Sequence, residues 1–464
     1  MTLAVARSSL TTSLARYSRS WGLWLLLLVA PIAARYMIPH GEGADAGIVI
    51  AIGRQLPVMT SAFLGVSLGI VVSTLLLPIG WMYLRSNTNR RQPWQVEEVT
   101  AASRVAIALG RFAADAAVLL AMLAALTIAG WILGLIIGPA DGWQPGAIAL
   151  ALWLVAAPAL LGLAALRILF DALPPTRGGF GDFLYFVTWM TSIVAPALSE
   201  GEAPSFAGAM RDFPGFLRPL QFGAPAGAQD FAIGGVDDLL PGHVALDVMA
   251  GLFSPGYVES RLAWAGIAVL VAAFAGLVYR PHRASRGRRL TGRWSRLLSA
   301  GPPPAADPAA PAAKRIAVPA LGLILAEARL ILAGRLFKLL ALAAFVFAAL
   351  GEFRHAASPA ALLLLIFALT AHAGRCEARG LVALTATAPL SPWARRGAFV
   401  LAGTGLTLLL ALPAIPRGGA EVLVLAAGTG LVASLVAIAG AAVSGSGFAP
   451  RLLLFIAWYA YLSS

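Results

Sequence analysis

Apolar residues in this chain come in long unbroken runs rather than in the period-2 or narrow period-3.6 patterns of half-buried elements, and polar or basic residues collect between the runs. Stretches of about 20 such residues are the length of a membrane-crossing helix. The first part of the chain carries six, at about Gly22–Ile38, Pro57–Leu84, Phe112–Gly138, Ala147–Phe170, Phe183–Leu198 and Leu262–Tyr279. Five more follow, at about Leu336–Leu350, Ala360–Gly374, Ala398–Pro413, Val422–Val443 and Leu452–Leu462. The expectation is an all-α polytopic membrane protein with about 11 transmembrane helices in two bundles, six and five. The first run follows Arg7, Arg16 and Arg19 and lacks a small-residue cleavage site, so it reads as a retained span rather than a removed signal peptide.

Composition agrees with that class. Of 464 residues, 59% are hydrophobic and 12% charged, which excludes an ordinary soluble domain. The balance of 34 basic against 21 acidic residues suggests nucleic acid only until the arginines are located, because they cluster beside the apolar runs. With the N-terminus inside, Arg85, Arg90, Arg91, Arg104 and Arg111, and the series from Arg280 to Arg315, fall on the cytoplasmic side, as the positive-inside rule requires. The same orientation exports the loop 199–261, in which acids outnumber arginines. The expected location is therefore a bacterial cytoplasmic (inner) membrane, multi-pass, with a cytoplasmic N-terminus. Three domains result: a first unit 1–279, a basic Pro/Ala-rich linker 280–320 containing GPPPAADPAAPAA, and a second unit 321–464.

The two units resemble each other. VTAASRVAIALGR (Val99–Arg111) and LTATAPLSPWARR (Leu384–Arg396) align without slippage, Thr100 with Thr385 and Arg111 with Arg396, both 285 residues apart. Farther on, Phe186 and Trp189 share their three-residue spacing with Phe455 and Trp458. The simplest account is a pseudo-repeat whose second copy lacks the sixth span and the exported loop.

Chemistry of other kinds is sparse. The single cysteine, Cys376, excludes a disulfide framework and a Cys-rich metal site. No G-x-x-x-x-G-K-[ST] loop is present to hold ATP, so nucleotide hydrolysis is not expected of this chain. H-E-x-x-H and G-x-S-x-G are also missing, and the five histidines lack ligand spacing; His243 with Asp247 reads as an ordinary surface pair. The chain is accordingly not expected to be an enzyme, with no catalytic residue, metal or cofactor of its own. Within the runs, Asp115 lies one turn after Arg111 and reads as a local ion pair, whereas Arg167, Lys338 and Arg375 sit near span ends, where long side chains snorkel to water. His372 reads as a packing histidine.

Two segments stand out. Gln92–Arg111 has Pro93 in its first turn, Glu97 and Glu98 early, and Gly110-Arg111 at its end, the pattern of a short amphipathic helix beside the membrane. Arg375–Arg396 carries Glu377 and Arg379 and is broken by Pro389 and Pro392. Each reads either as a solvated connector or as a docking surface for a soluble partner. Ser9–Trp21 and Leu321–Arg335, which precede the first span of each unit, read as interfacial elbow helices.

The segment RCEARGLVALTATAPLSPWARRGAFVLAG (Arg375–Gly403) is similar to the signature of ABC-2-type exporter permeases, through Glu377, Arg379, Gly380, Leu384, Thr387, Pro389, Ser391 and Arg396. The first copy matches through Glu97 or Glu98, Thr100, Ser103, Arg104, Gly110 and Arg111 and lacks the proline. The resemblance implies that both segments are coupling helices, with Glu97, Glu98, Thr100, Arg104, Arg111, Glu377, Arg379, Thr387, Pro389 and Arg396 contacting separate ATP-binding subunits, two copies in all. ATP and Mg would then be bound on that partner. It further implies an elbow helix in each unit and an exported loop before the last span. Permeases of that family are usually single six-span units that pair, whereas this chain reads as a fused tandem. The implied function is export driven by ATP hydrolysed elsewhere; the competing expectation is an ion-coupled secondary transporter or channel that needs no ATPase. The bilayer is the other expected partner, further membrane subunits are compatible, and nucleic acid is not expected.

Overall fold

The computed structural model describes residues 2–38, 49–52, 55–90, 102–177, 179–194, 196, 203–225, 231–234, 240, 242–279, 319–332, 335–350, 357–373, 375, 391–445 and 447–463. Contacts divide the chain into two units, Met1–Gly287 and Arg288–Ser464. The linker expected at 280–320 lies, through residue 318, outside the described residues.

In the first unit the apolar runs fold as helices because a backbone in lipid must satisfy its own hydrogen bonds. Helix α1 (Thr2–Ser18) is followed directly by α2 (Trp21–Met37), then by strands β1 (Val49–Ile52) and β2 (Leu56–Pro57). Helix α3 (Ser61–Val71) starts at Thr60, whose hydroxyl accepts from the Phe63 amide, and passes through a π-helical turn, Val72–Leu76, into α4 (Leu77–Arg90). Every residue from Ser61 to Arg85 is buried. A helix apolar on all sides belongs at the centre of a bundle, and three of its hydroxyls are satisfied locally: Ser67, Ser73 and Thr74 each donate to the carbonyl four residues back. Around it stand α5 (Arg104–Ile137), α6 (Pro145–Ala172), α7 (Gly179–Val194) and α11 (Tyr257–Val278). Helix α6 packs against α3, α5 and α11, and α1 lies along α5.

The described residues of the loop expected outside the membrane include α8 (Phe206–Arg211), α9 (Leu217–Gly223), β3 (Phe231–Gly234), β4 (His243–Val244) and α10 (Val248–Leu252). β1 pairs antiparallel with β3 and β2 parallel with β4, which ties this cap to the start of α3. Arg261, 1% exposed, holds the cap to α11 by donating to the carbonyls of Phe213, Ala209 and Asp212, while the Asp212 carboxylate accepts from the amides of Gly215 and Arg218.

The second unit contains α12 (Pro319–Ile331), α13 (Arg335–Leu350), α14 (Ser358–His372), α15 (Pro392–Ala411), α16 (Ile415–Ser444) and α17 (Phe448–Ser463). Helix α15 opens with Ser391 capping the Ala394 amide and Pro392 at its first position. A 3-10 turn, Leu412–Ala414, joins it to α16. The two helices touch through small residues: a Cβ on Gly430 would stand 2.5 Å from Thr407 Oγ1, and one on Gly403 2.2 Å from Ser434 Oγ. Such contacts bring helices close in the absence of a hydrophobic drive between them.

Among the described residues, five helical stretches are long and apolar enough to cross a membrane: Ser61–Ser86, Arg104–Ile137, Pro145–Ala172, Tyr257–Val278 and Pro392–Ser444, the last holding both α15 and α16. Phe337–Leu350, Ser358–His372 and Phe448–Trp458 are shorter apolar helices. Large apolar side chains such as Leu135, Leu262, Leu270 and Leu277 point outward, where lipid replaces water. The protein is an all-α, membrane-embedded chain with two small strand pairs in the cap of its first unit.

Candidate functional site

The densest polar chemistry lies where α1, α4, α5, α6 and α7 meet. The Tyr17 hydroxyl on α1 donates to Asp115 Oδ1 on α5 at 2.5 Å. Asp115 Oδ2 receives Arg167 Nη1 from α6 at 2.8 Å, and Arg167 Nη2 stands 3.2 Å from Asp171 Oδ2, one turn on. Asp171 Oδ1 then accepts from Arg85 Nη1 of α4 at 2.7 Å. Arg85 uses its remaining nitrogens on Asp182 of α7, at 3.0 Å, and on the Thr176 carbonyl, at 2.9 Å. The Trp81 indole N–H also donates to Asp182, at 3.1 Å, and its ring stacks on Tyr185 with centroids 4.0 Å apart. Two guanidinium groups, three carboxylates and the Tyr17 hydroxyl thus form one chain across five helices.

Ion pairs this deep are held by mutual attraction: removing water from each charge costs several kcal/mol, which close pairing with an opposite charge offsets. Burial, reinforced by the Asp115 carboxylate, pushes the Tyr17 phenol well above its usual pKa, so it remains a hydrogen-bond donor. No nucleophile is poised beside a base in the chain of contacts, and each carboxylate has a cationic partner. Chemically the arrangement is a clamp.

Three readings of the sequence are corrected here. Arg167 does not snorkel; it is 1% exposed and bridges two aspartates. Asp115 takes its cation from α6, because its face of α5 is turned to α6 and α1 rather than along its own helix to Arg111. Arg85, read as an anchor at the membrane surface, is buried as well. Asp171 and Asp182 were passed over, although Asp171 follows an apolar run four residues after Arg167, a spacing that pairs charges on a helix. Arg375 also has a defined partner, Glu327 on α12, at 2.7 Å. Lys338 is exposed.

Of the residues expected to couple to an ATPase, Arg104 and Arg111 stand on the first two turns of α5, a continuous helix from its Ser103 cap to Ile137. They are therefore part of the spanning helix and not of a separate short one. Near them α1 and α5 touch closely: a Cβ on Gly110 would stand 2.4 Å from the Ala6 carbonyl oxygen, and Ser9 donates to the Ile107 carbonyl. Arg396 sits at the start of α15, its guanidinium 5.3 Å from the Trp393 ring centroid. Glu97, Glu98, Thr100, Glu377, Arg379, Thr387 and Pro389 lie outside the described residues.

A cavity of about 40 Å³ lies between α5, α6 and α11, with Arg104, Arg111, Asp171 and Tyr279 in its walls. In the cap of the first unit, a more open one of about 520 Å³ is lined in part by Thr60, Asp141, Leu246 and Asp247. Asp141 accepts from the Ser61 amide and Asp247 from the Ala250 amide, so both carboxylates serve as helix caps. His243 is exposed on β4, and among the described residues no group of three His, Cys, Asp or Glu side chains is arranged to hold a metal.

Comparison with protein-family models, with curated proteins and with solved structures finds no match.

Proposed function

We propose that this chain is the membrane-embedded permease of an ATP-binding-cassette transporter of the ABC-2 exporter type, two six-helix units fused in tandem with the last span of the second missing. In this reading the chain crosses a bacterial cytoplasmic membrane about eleven times from a cytoplasmic N-terminus. It moves substrate outward with ATP hydrolysed, with Mg, on two copies of a separate subunit docked at Gln92–Arg111 and Arg375–Arg396.

The observation that carries it is a similar placement of contacts inside each unit, with the indole acceptors Ser73 and Pro359 offset by one residue from the 285-residue spacing. The Trp189 indole donates to the Ser73 carbonyl at 2.8 Å, and the Trp458 indole donates to the Pro359 carbonyl at 2.8 Å. Arg85 meets Asp182, and Thr370 meets Arg451, whose Nε lies 2.8 Å from its hydroxyl. Arg85 and Thr370 are 285 residues apart, as are Thr100 and Thr385; Asp182 and Arg451 are 269 apart, as are Trp189 and Trp458. In each unit the leading helix, α1 or α12, packs on the helix that begins with the basic motif, α5 or α15. Such a pair of levers suits a motor that acts on both units. The missing phosphate-binding loop is what a permease that borrows its ATPase carries.

The test is co-purification with a co-expressed ATP-binding-cassette ATPase subunit. Glu97→Arg with Glu98→Arg, or Glu377→Arg, should abolish the complex and its stimulated ATP turnover; an unchanged complex and turnover would remove the docking assignment. The second reading, an ion-coupled carrier or channel, draws on the buried Asp115 and Asp171, since carboxylates inside a membrane commonly mark ion pathways. Transport by the chain alone in liposomes, driven by an ion gradient, would establish that reading instead.

A further inference from the structure

We propose that the π-helical turn Val72–Leu76 is a hinge on which α4 swings relative to α3, and that the Trp189 indole of α7 is the latch that holds it closed. The turn lies in the middle of a helix that is buried from Ser61 to Arg85. A wide turn inside a helix loosens the main-chain ladder at one place, and such turns gather at functional sites. Here the loosening is specific. The Leu77 amide reaches back five residues to the Val72 carbonyl, and the next residue in that register, Pro78, has no N–H. The Ser73 carbonyl, which residue 78 would otherwise meet, takes the Trp189 indole N–H at 2.8 Å instead. The Tyr185 hydroxyl, one turn earlier on α7, donates to the Leu77 carbonyl at 2.9 Å. A buried carbonyl without a donor costs stability, so these two aromatic side chains hold the turn in its present shape from a neighbouring helix.

The two sides of the turn are held differently. Helix α3 is wedged against α6: a Cβ on Gly65 would stand 2.5 Å from the Ile148 carbonyl oxygen, and one on Gly69 2.6 Å from Val155 Cγ1. Past the turn, a Cβ on Gly80 would meet only the methyl ends of Leu119 and Leu163, at 3.1 Å, and the far end of α4 is tied by Arg85 to Asp171 and Asp182. Arg85 lies nine residues beyond Leu76, a helical rise of about 13 Å, so a tilt of about 10° at the turn moves it about 2 Å. That parts a contact which now stands at 2.7 Å from Asp171. Hinge and clamp are therefore one device, in which α4 swings when Trp189 lets go at one end and Arg85 at the other. The device does not rest on the ATPase reading, because every part of it lies within the first unit.

The experiment follows amide hydrogen exchange by mass spectrometry on the full-length chain in detergent, comparing the segment before the turn, 62–70, with the segment after it, 79–86. Trp189→Phe should speed exchange after the turn roughly tenfold and leave the segment before it unchanged. Pro78→Ala supplies the missing N–H and should slow exchange after the turn by a similar factor. In that background Trp189→Phe should alter exchange by less than about twofold, because the carbonyl no longer depends on the indole. A rise shared equally by both segments would make Trp189 an ordinary packing residue and overturn the hinge. So would exchange that Trp189→Phe leaves unaltered, or an effect of the same size with and without Pro78. If Trp189→Phe yields no folded protein, Pro78→Ala alone decides: slowing confined to 79–86 supports the hinge, and no slowing there overturns it.

Discussion

Replacing Arg167 with Met removes the cation between Asp115 and Asp171 while keeping much of the side chain's length. Asp171 still has Arg85 at 2.7 Å, but Asp115 is left with the Tyr17 hydroxyl. The substitution therefore strands one carboxylate where Arg167 is 1% and Asp115 2% exposed. Removing one partner of a buried pair costs about 3–5 kcal/mol, mostly the penalty on the charge left behind. Each kcal/mol shifts the melting temperature of a large domain by about 2–4 °C, so the expected fall is roughly 6–20 °C. Thermal unfolding in detergent, followed by intrinsic tryptophan fluorescence, measures it. Adding Asp115→Asn removes the stranded charge and keeps an oxygen for the Tyr17 hydroxyl, so the double variant should melt above Arg167→Met. Coupling of this sign is what a double-mutant cycle detects. A single variant that melts with the wild type, or a double variant whose loss equals the sum of the single losses, refutes the clamp.

Tyr17 supplies a pH test. Its folded pKa lies well above the ordinary phenol value, so its stabilisation is complete below about pH 10 and is lost as pH rises from there toward the folded value, the unfolded chain releasing the proton first. Between pH 10 and 11 the wild type should lose up to about 1.4 kcal/mol more stability than Tyr17→Phe in parallel denaturation series; identical slopes would show that the buried phenol is not linked to folding. Trp189→Phe and Trp458→Phe each leave a buried carbonyl without its indole donor, at a cost of about 1–3 kcal/mol. Matched losses in thermal scans are expected of two copies of one scaffold, and a loss at one position alone would contradict the duplication.

Some of the spans were legible before folding, because a run of apolar residues long enough to cross a bilayer has few alternatives to a helix. Ser61–Ser86 and Pro145–Ala172 fall close to the runs read from the chain, and Pro145 and Ser391 mark helix starts by ordinary capping chemistry. Boundaries near charge were harder. The helix containing Arg111 begins at Ser103, since nothing between Arg104 and Phe112 breaks it and Gly110 lets it close on α1. The order in the cap was also hidden. β1 meets β3 across more than 170 positions, and short strands with mixed composition carry little signal of such a partner.

The amino-acid sequence alone determined that this is a membrane-embedded helical chain with arginines gathered at the ends of its spans, because length and hydropathy act locally and each helix closes its own hydrogen bonds. It also carried the paired motifs from which a duplicated permease is proposed. Only the tertiary structure decided which charges meet. Asp115 and Arg167 are 52 residues apart, Arg85 and Asp171 are 86, and Arg85 and Asp182 are 97. Which face of each helix turns inward depends on how all of them pack, and a buried charge is tolerable only if that packing delivers its partner.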